Sequence, residues 1–534
     1  MTTRRSLVRN AALLAAGAAL PTPSRAQRSS RNARPNTLRI IHAADLQSLD
    51  PVWTTSASTK DYAFLTYDQL IAVDADNIPR PQMAEGWTVE DDGRSYVISL
   101  RDGLRFHDGE PVRAQDCIAS IARWSARDGF GQALRRVTDR MEAIDDRRLR
   151  IRLKRPFPLL PAAIGKSNSS QCFIMPERVA KTDPSQQITE WVGSGPFRFL
   201  RDEWVSGSHA SWAKFEHYVP RREPVSSIAG GRIPAVDRVE WGIIGDSATA
   251  LSALISGEYD YWDQPSLDLL PAIESRRNLV VDVRNPSGVY AMLQFNHLQP
   301  PFNNPEVRRA VALGVDQASF LQSATSRPEQ QVPCTSFYAC GTAYGTDDGA
   351  EVLKEASLEA ARAALRSSGY NGEKAVVLAV QDHPMIAPMS LVAADLLRRI
   401  GINTELVSTD FATMVQRRTN RDTTDRGGWS VFLTTWTGTD ILNPAVNQML
   451  RGPGASGWFG WPDDPVLEDL RNQWFDTSDT TQQARLAKEL QVQAFKTLPY
   501  IPLGGVVRPV AYSRELTGVF PVPVQAYWNI GKRR

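Results

Sequence analysis

The residues best placed to do chemistry gather between Trp429 and Pro465. An apolar run, Trp429-Ser-Val-Phe-Leu-Thr-Thr-Trp436, is rich in β-branched and aromatic residues and predicts a buried strand. It stops at Thr437-Gly438-Thr439-Asp440, a turn whose glycine lets the backbone approach another group closely. Four glycines follow (Gly452, Gly454, Gly457, Gly460), interleaved with Trp458, Phe459 and Trp461. Ligands of open α/β sheets collect in crevices where strands end at their carboxyl side. A strand ending in hydroxyls and a carboxylate, then an aromatic glycine loop, suits such a crevice. The same residues also suit a packed strand, a turn and an aromatic loop that folds away as core.

Other chemical signatures fail on spacing. His107-Asp108 sets a base beside a carboxylate, but neighbours on a strand point to opposite faces and no nucleophile goes with them. Gly165-Lys166-Ser167 ends like a phosphate loop, yet Leu160 stands where the first glycine belongs. Gly193-Ser194-Gly195 is not a Gly-x-Ser-x-Gly elbow. The six histidines are scattered, with no His-Glu-x-x-His and no Cys-x-x-Cys. No metal, cofactor or catalytic residue is expected, and an exported hydrolase is the disfavoured class.

The chain of 534 residues exceeds what one hydrophobic core supports, so at least two domains are expected. Formal net charge is +2, but the first 26 residues hold four arginines and no acid, leaving −2 for the remainder. No basic patch argues for nucleic acid. Arg4-Arg5, the apolar Ala11–Leu20 and Ser24-Arg25-Ala26 read as a twin-arginine export signal over 1–26, cleaved after Ala26. That implies a periplasmic protein in an oxidising compartment. Cys334 and Cys340 flank a short loop there and could close it as a disulfide, the alternative being two free thiols. Cys117 and Cys172 sit among apolar neighbours as inert core thiols.

The elements that must position these residues follow in order. Thr37–Ile41 opens as a strand, and Asp61–Ile71 reads as amphipathic. Asp92-Gly93 turns a hairpin with Tyr96, Ile98 and Leu100 alternating, and Gln115–Ala126 follows as a helix. Asn304-Pro305-Glu306 opens another helix with cap, proline and acid in favourable places. From Ser357 a βα alternation predicts parallel pairing: helix 357–368, strand 375–380, a helix ended by Gly401, strand 402–407, helix 411–418, strand 429–436. Asp464-Pro465 caps a helix with Val466, Leu470 and Trp474 on one face.

Gly86-Trp87, Asp92-Gly93, Leu100-Arg101, Phe106-His-Asp-Gly109, Met175-Pro176, Gly193–Phe197 and Leu293-Gln-Phe-Asn296 resemble the dipeptide/oligopeptide-binding (family 5) extracytoplasmic solute receptors of ABC importers. The resemblance implies a two-lobed α/β periplasmic-binding fold with the ligand between the lobes. It implies a first lobe over 27–286 with an extra subdomain at about 72–210, a second lobe over 287–503 and a return over 504–534. A peptide-like ligand, an inner-membrane permease as partner and a monomeric state follow, the alternative ligand being a non-peptide solute. Expected ligand residues are Trp53, Ser56, Trp436, Thr439, Asp440, Trp458 and Trp461. In peptide-binding relatives a Trp-x-x-Asp carboxylate pairs with the ligand's α-amino group. Thr439 stands in that place, and Asp440 one residue later. Either Asp440 takes over, or the ligand has no free amine there.

Overall fold

The computed structural model describes residues 36–533 apart from Ser169 and Ser478, so the export signal expected over 1–26 lies outside the described residues. Two α/β lobes each enclose a sheet. In the first, seven strands run in the order Leu279–Asp282, Val510–Ser513, Tyr261–Trp262, Thr37–Ile41, Arg238–Gly242, His209–Lys214, Phe197–Phe199. Thr37–Ile41 pairs in parallel on both sides, and four of its five residues are buried, as expected of a central strand. The second sheet has six strands, ordered Gln331–Val332, Tyr500–Val506, Val289–Phe295, Val431–Thr437, Ala375–Val380, Thr404–Thr409.

The pairing in this second sheet is mixed. Ala375–Val380 runs parallel to Thr404–Thr409 and Val431–Thr437, as the βα alternation predicts. Val289–Phe295 instead runs antiparallel to both of its neighbours. The periodicity marks crossovers between successive strands, but Val289–Phe295 arrives from the other lobe and no helix dictates its direction.

An extra layer sits on the first lobe: Ala84–Glu90, Ser95–Leu100, Arg148–Leu153 and Thr138–Ala143 form an antiparallel sheet packed by helix Ala114–Arg127. Phe197–Phe199 already belongs to the seven-stranded sheet. Helix Gly129–Val137 carries Phe130, which meets Phe475 of the second lobe at 5.4 Å, so the extra layer and the second lobe share an apolar cluster.

Helix ends follow their sequence signals. Asn304 accepts from Glu306 N and Ser357 from Ala360 N, while Gly401 closes helix Ile386–Ile400 at φ +108°. Two expectations need correction. Ala57–Thr66 is a helix with nine of its ten residues buried, including Lys60 and Asp61, so it has no solvent face and is not amphipathic. In Pro465–Asp476 the buried face is Leu467, Arg471, Trp474 and Phe475, whereas Val466 is 54% exposed.

The chain crosses between sheets twice, at 283–288 and at 507–509. Cys334 and Cys340 are joined as a disulfide with Cα atoms 5.8 Å apart, while Cys117 and Cys172 are free and buried.

Candidate ligand-binding cleft

Two adjoining chambers open where the carboxyl ends of strands from both sheets meet. The outer one is about 650 Å³. Its walls come from Val52–Thr55 and Arg127 of the first lobe, and from Arg418, Arg421 and the loop Ala455–Trp461 of the second. The inner one is about 170 Å³, between Ala43, Ala44 and Thr55–Ser58 on one side and Thr434–Thr437, His383 and Asp440 on the other. Arg508, in the second crossing, closes its back. Val415, Arg418 and Trp458 line both.

Most of the expected residues arrive here. Trp53 lines the outer chamber, held by Asp50, whose Oδ1 accepts from Trp53 N at 3.3 Å. Ser56 lines the inner chamber and shares a hydrogen bond with Ser58 at 3.0 Å. Trp436 and Trp458 stand edge to face with centroids 5.6 Å apart, and neither indole N–H has a partner among the described residues. Their rings form an apolar wall with two donors on it, suited to a ligand of mixed character.

Asp440 reaches the inner chamber, but its Oδ2 accepts from Thr437 N at 3.0 Å and Thr437 Oγ1 at 2.5 Å. The carboxylate thus caps the short turn Gly438–Ile441. Thr439 lines neither chamber. Its hydroxyl meets Thr437 Oγ1, and its carbonyl accepts from Asn168 Nδ2 across the lobes at 3.1 Å. Trp461 touches the outer chamber with one edge, while its ring is 2% exposed and packs 5.9 Å from Trp429. Trp458 and Phe459 are the half-buried aromatics of that loop.

Several lining residues were not singled out from the sequence. Lys60 sits on a helix without an exposed face, and Arg418 reads as an ordinary basic residue ending a helix. Arg508 reads as a strand-end arginine. His383 accepts from Met385 N and Ile386 N through Nδ1, and burial pushes its pKa to about 3, so it is neutral. His107 has the structural part expected of it: Nε2 meets Gly195 O at 3.0 Å and Gly193 N donates to Nδ1.

Behind the inner chamber, His42 stacks on Trp241 at 4.0 Å, with Asp61 at 3.5 Å and Asp263 at 3.6 Å from its Nε2. Burial lowers the imidazole pKa, but Asp263 and Asp61 outweigh it and raise it to about 8. The stability that protonated His42 contributes is therefore fully present below pH 6.5 and lost as pH rises through 8, whereas burial raises the Asp263 carboxyl to about 6. The His42 shift corresponds to about 2 kcal/mol. We predict that unfolding free energy falls by about 1.5 kcal/mol of this between pH 6.5 and 8.5, and that His42→Gln flattens the profile. Equal slopes in both proteins would contradict this.

The lobes also touch around the cleft. Gln448 Nε2 donates to Asp128 Oδ2 at 3.3 Å, and Arg155 pairs with Asp476 at 2.6 Å.

A family model of bacterial extracellular solute-binding proteins, family 5, matches residues 79–458. The "probable peptide ABC transporter periplasmic-binding protein" of Sinorhizobium fredii is 38% identical over 522 residues, 97% of this chain and 98% of its own length. Two solved structures share the fold. One is the binding protein AgaA of A. tumefaciens R10 in complex with agropinic acid, with TM-score 0.79, 21% identity, and 93% and 99% of the two chains covered. The other is a dipeptide-binding protein from Pseudoalteromonas sp. SM9913 in complex with Met-Leu, with TM-score 0.75, 19% identity, and 93% and 100% covered. With a family match over more than half its length and a relative alike from end to end, this chain belongs to the bacterial extracellular solute-binding proteins of family 5.

Proposed function

We propose that this protein is the periplasmic substrate receptor of an ABC importer, acting as a monomer after cleavage behind Ala26 and handing its solute to an inner-membrane permease. The observation that carries the reading is a cleft whose walls come from both lobes, with the chain crossing between them only at 283–288 and 507–509. A solute touching both walls favours the closed arrangement by as much as its affinity differs between the two states. We take the two crossings as the lobe boundaries and as the hinge.

The solute class is short peptides, in line with the names of the Sinorhizobium relative and the Met-Leu-bound neighbour. A second reading, a non-peptide solute, is favoured by Asp440, whose Oδ2 is committed to the Thr437 turn. Thermal stabilisation by free and N-acetylated short peptides, in the parent and in Asp440→Asn, separates the two. Stabilisation by free peptides supports the peptide class. Its loss on acetylation and in the variant makes Asp440 the amine anchor. If no peptide stabilises the protein while another solute does, the non-peptide reading stands.

A further inference from the structure

Buried arginines away from the cleft are all answered by the protein. Arg123 meets Asp50, and Arg232 meets Asp68. Arg284 and Arg308 donate to backbone carbonyls, as does Arg471. The cleft breaks this rule. Lys60, Arg418 and Arg508 line the inner chamber, and none of the three makes a side-chain hydrogen bond or ion pair with another described residue. Lys60 and Arg418 are each only 7% exposed. The Arg418 guanidinium lies over Trp458 and Phe459, at 5.2 and 4.4 Å, which fixes its plane but leaves its charge unanswered. Burial lowers the Arg418 and Arg508 pKa values to about 9 and about 10, so both stay charged at neutral pH.

The outer chamber continues the trend. Among the described residues, Arg127, Arg418, Arg421 and Arg451 line it without any lining carboxylate, and of these only Arg451 has an ion-pair partner, Glu468. The acid on the inner wall is Asp440, already capping its turn. A buried cation without a hydrogen-bonding or ionic partner is strongly destabilising. A ligand of opposite charge relieves that cost.

We propose that the cleft selects a small organic solute bearing at least two carboxylates, one seated among Lys60, Arg418 and Arg508 and another reaching Arg127 and Arg421. This rests on the solute-receptor reading and names its substrate class. The aromatic wall of Trp436 and Trp458 packs against the carbon skeleton between the two acidic ends.

The test has two arms. In the first, solute released by denaturing protein isolated from its own periplasm is identified by mass spectrometry. In the second, the mature protein is titrated with N-acetyl-Asp-Glu, its uncharged counterpart N-acetyl-Asn-Gln-amide, and Lys-Lys. The expected results are a released polycarboxylate, and binding of N-acetyl-Asp-Glu at least about 100-fold tighter than of either other probe. That binding weakens as salt is raised. Arg418→Gln and Arg508→Gln are each expected to weaken it about 10- to 150-fold, while the ligand-free melting temperature holds or rises because the cost of desolvating an unpaired charge is gone.

A melting temperature that drops by several degrees in Arg418→Gln, with binding retained, makes the residue a structural stacking group and overturns the proposal. A neutral or cationic released solute, or equal affinity for the uncharged probe, overturns it as well and leaves the receptor reading intact. If no solute is released and no probe of any charge binds, the receptor reading itself fails and the proposal with it.

Discussion

Asp50→Ala is expected to lose about 3–5 kcal/mol of folding stability, the usual penalty for stranding one member of a buried ion pair. Asp50 is fully buried and grips Arg123 with both oxygens, at 2.9 and 2.7 Å. It also accepts from Val52 N, Trp53 N and Ile188 N. Removing the carboxylate leaves a buried guanidinium with only the Thr182 and Gln186 carbonyls, and frees three backbone donors at once. Because Val52 and Trp53 start the outer chamber wall, ligand affinity should fall along with stability. Urea unfolding measures the first effect and ligand titration the second. The double variant Asp50→Leu/Arg123→Met should recover part of the stability, since no unpaired charge remains, but not the affinity, since the loop stays unpinned. A loss under about 1 kcal/mol in Asp50→Ala would show that water reaches this pair.

Gly460→Ala should be nearly as damaging, at about 2–5 kcal/mol from backbone strain and overpacking combined. Gly460 has φ +107°, and an added Cβ would lie 2.1 Å from Gln294 Nε2 and 2.5 Å from Phe295 O. Phe295 ends the strand beside Val431–Thr437, so the strand cannot yield without moving the sheet. The loop must move instead, and it carries Trp458 and Phe459, hence the stacking surface under Arg418. The expected signature is a lowered melting temperature together with a changed Trp458 fluorescence response to ligand. An unchanged response would mean that the loop tolerates the methyl by a local shift.

Elements whose signal is local were legible in the sequence, and those whose reason is long-range were not. Asn304, Ser357 and Gly401 mark helix ends because caps and left-handed turns are chosen by the residue itself. Ala375–Val380 is read correctly from its β-rich composition, but the antiparallel direction of Val289–Phe295 depends on a crossing from the other lobe. Ala57–Thr66 misleads because a helix buried all round has no polar stripe to reveal its orientation.

The cleft divides the same way. Trp436, Trp458 and Asp440 stand out as aromatic and acidic residues at a strand end. Lys60, Arg418 and Arg508 look like ordinary surface cations until the fold sets them around the inner chamber without an ion-pair partner among the described residues. Thr439 lies off the chamber walls because its hydroxyl turns to Thr437 Oγ1 while its backbone carbonyl meets Asn168 of the opposite lobe.

The central claim is that both lobes close on a solute held between them, and the distance between the lobes tests it most directly. Val89 in the extra layer of the first lobe and Leu391 in the second lobe are 51% and 58% exposed. Paired labels on Val89→Cys and Leu391→Cys avoid the native cysteines, since Cys334 and Cys340 are bonded and Cys117 and Cys172 are buried. The label-to-label distance is measured by pulsed dipolar spectroscopy, with the solute that the protein carries from the periplasm and after its removal. The account predicts one short distance with solute, and a longer, broader population without it as contacts such as Arg155–Asp476 open. Identical distributions in both states would contradict it.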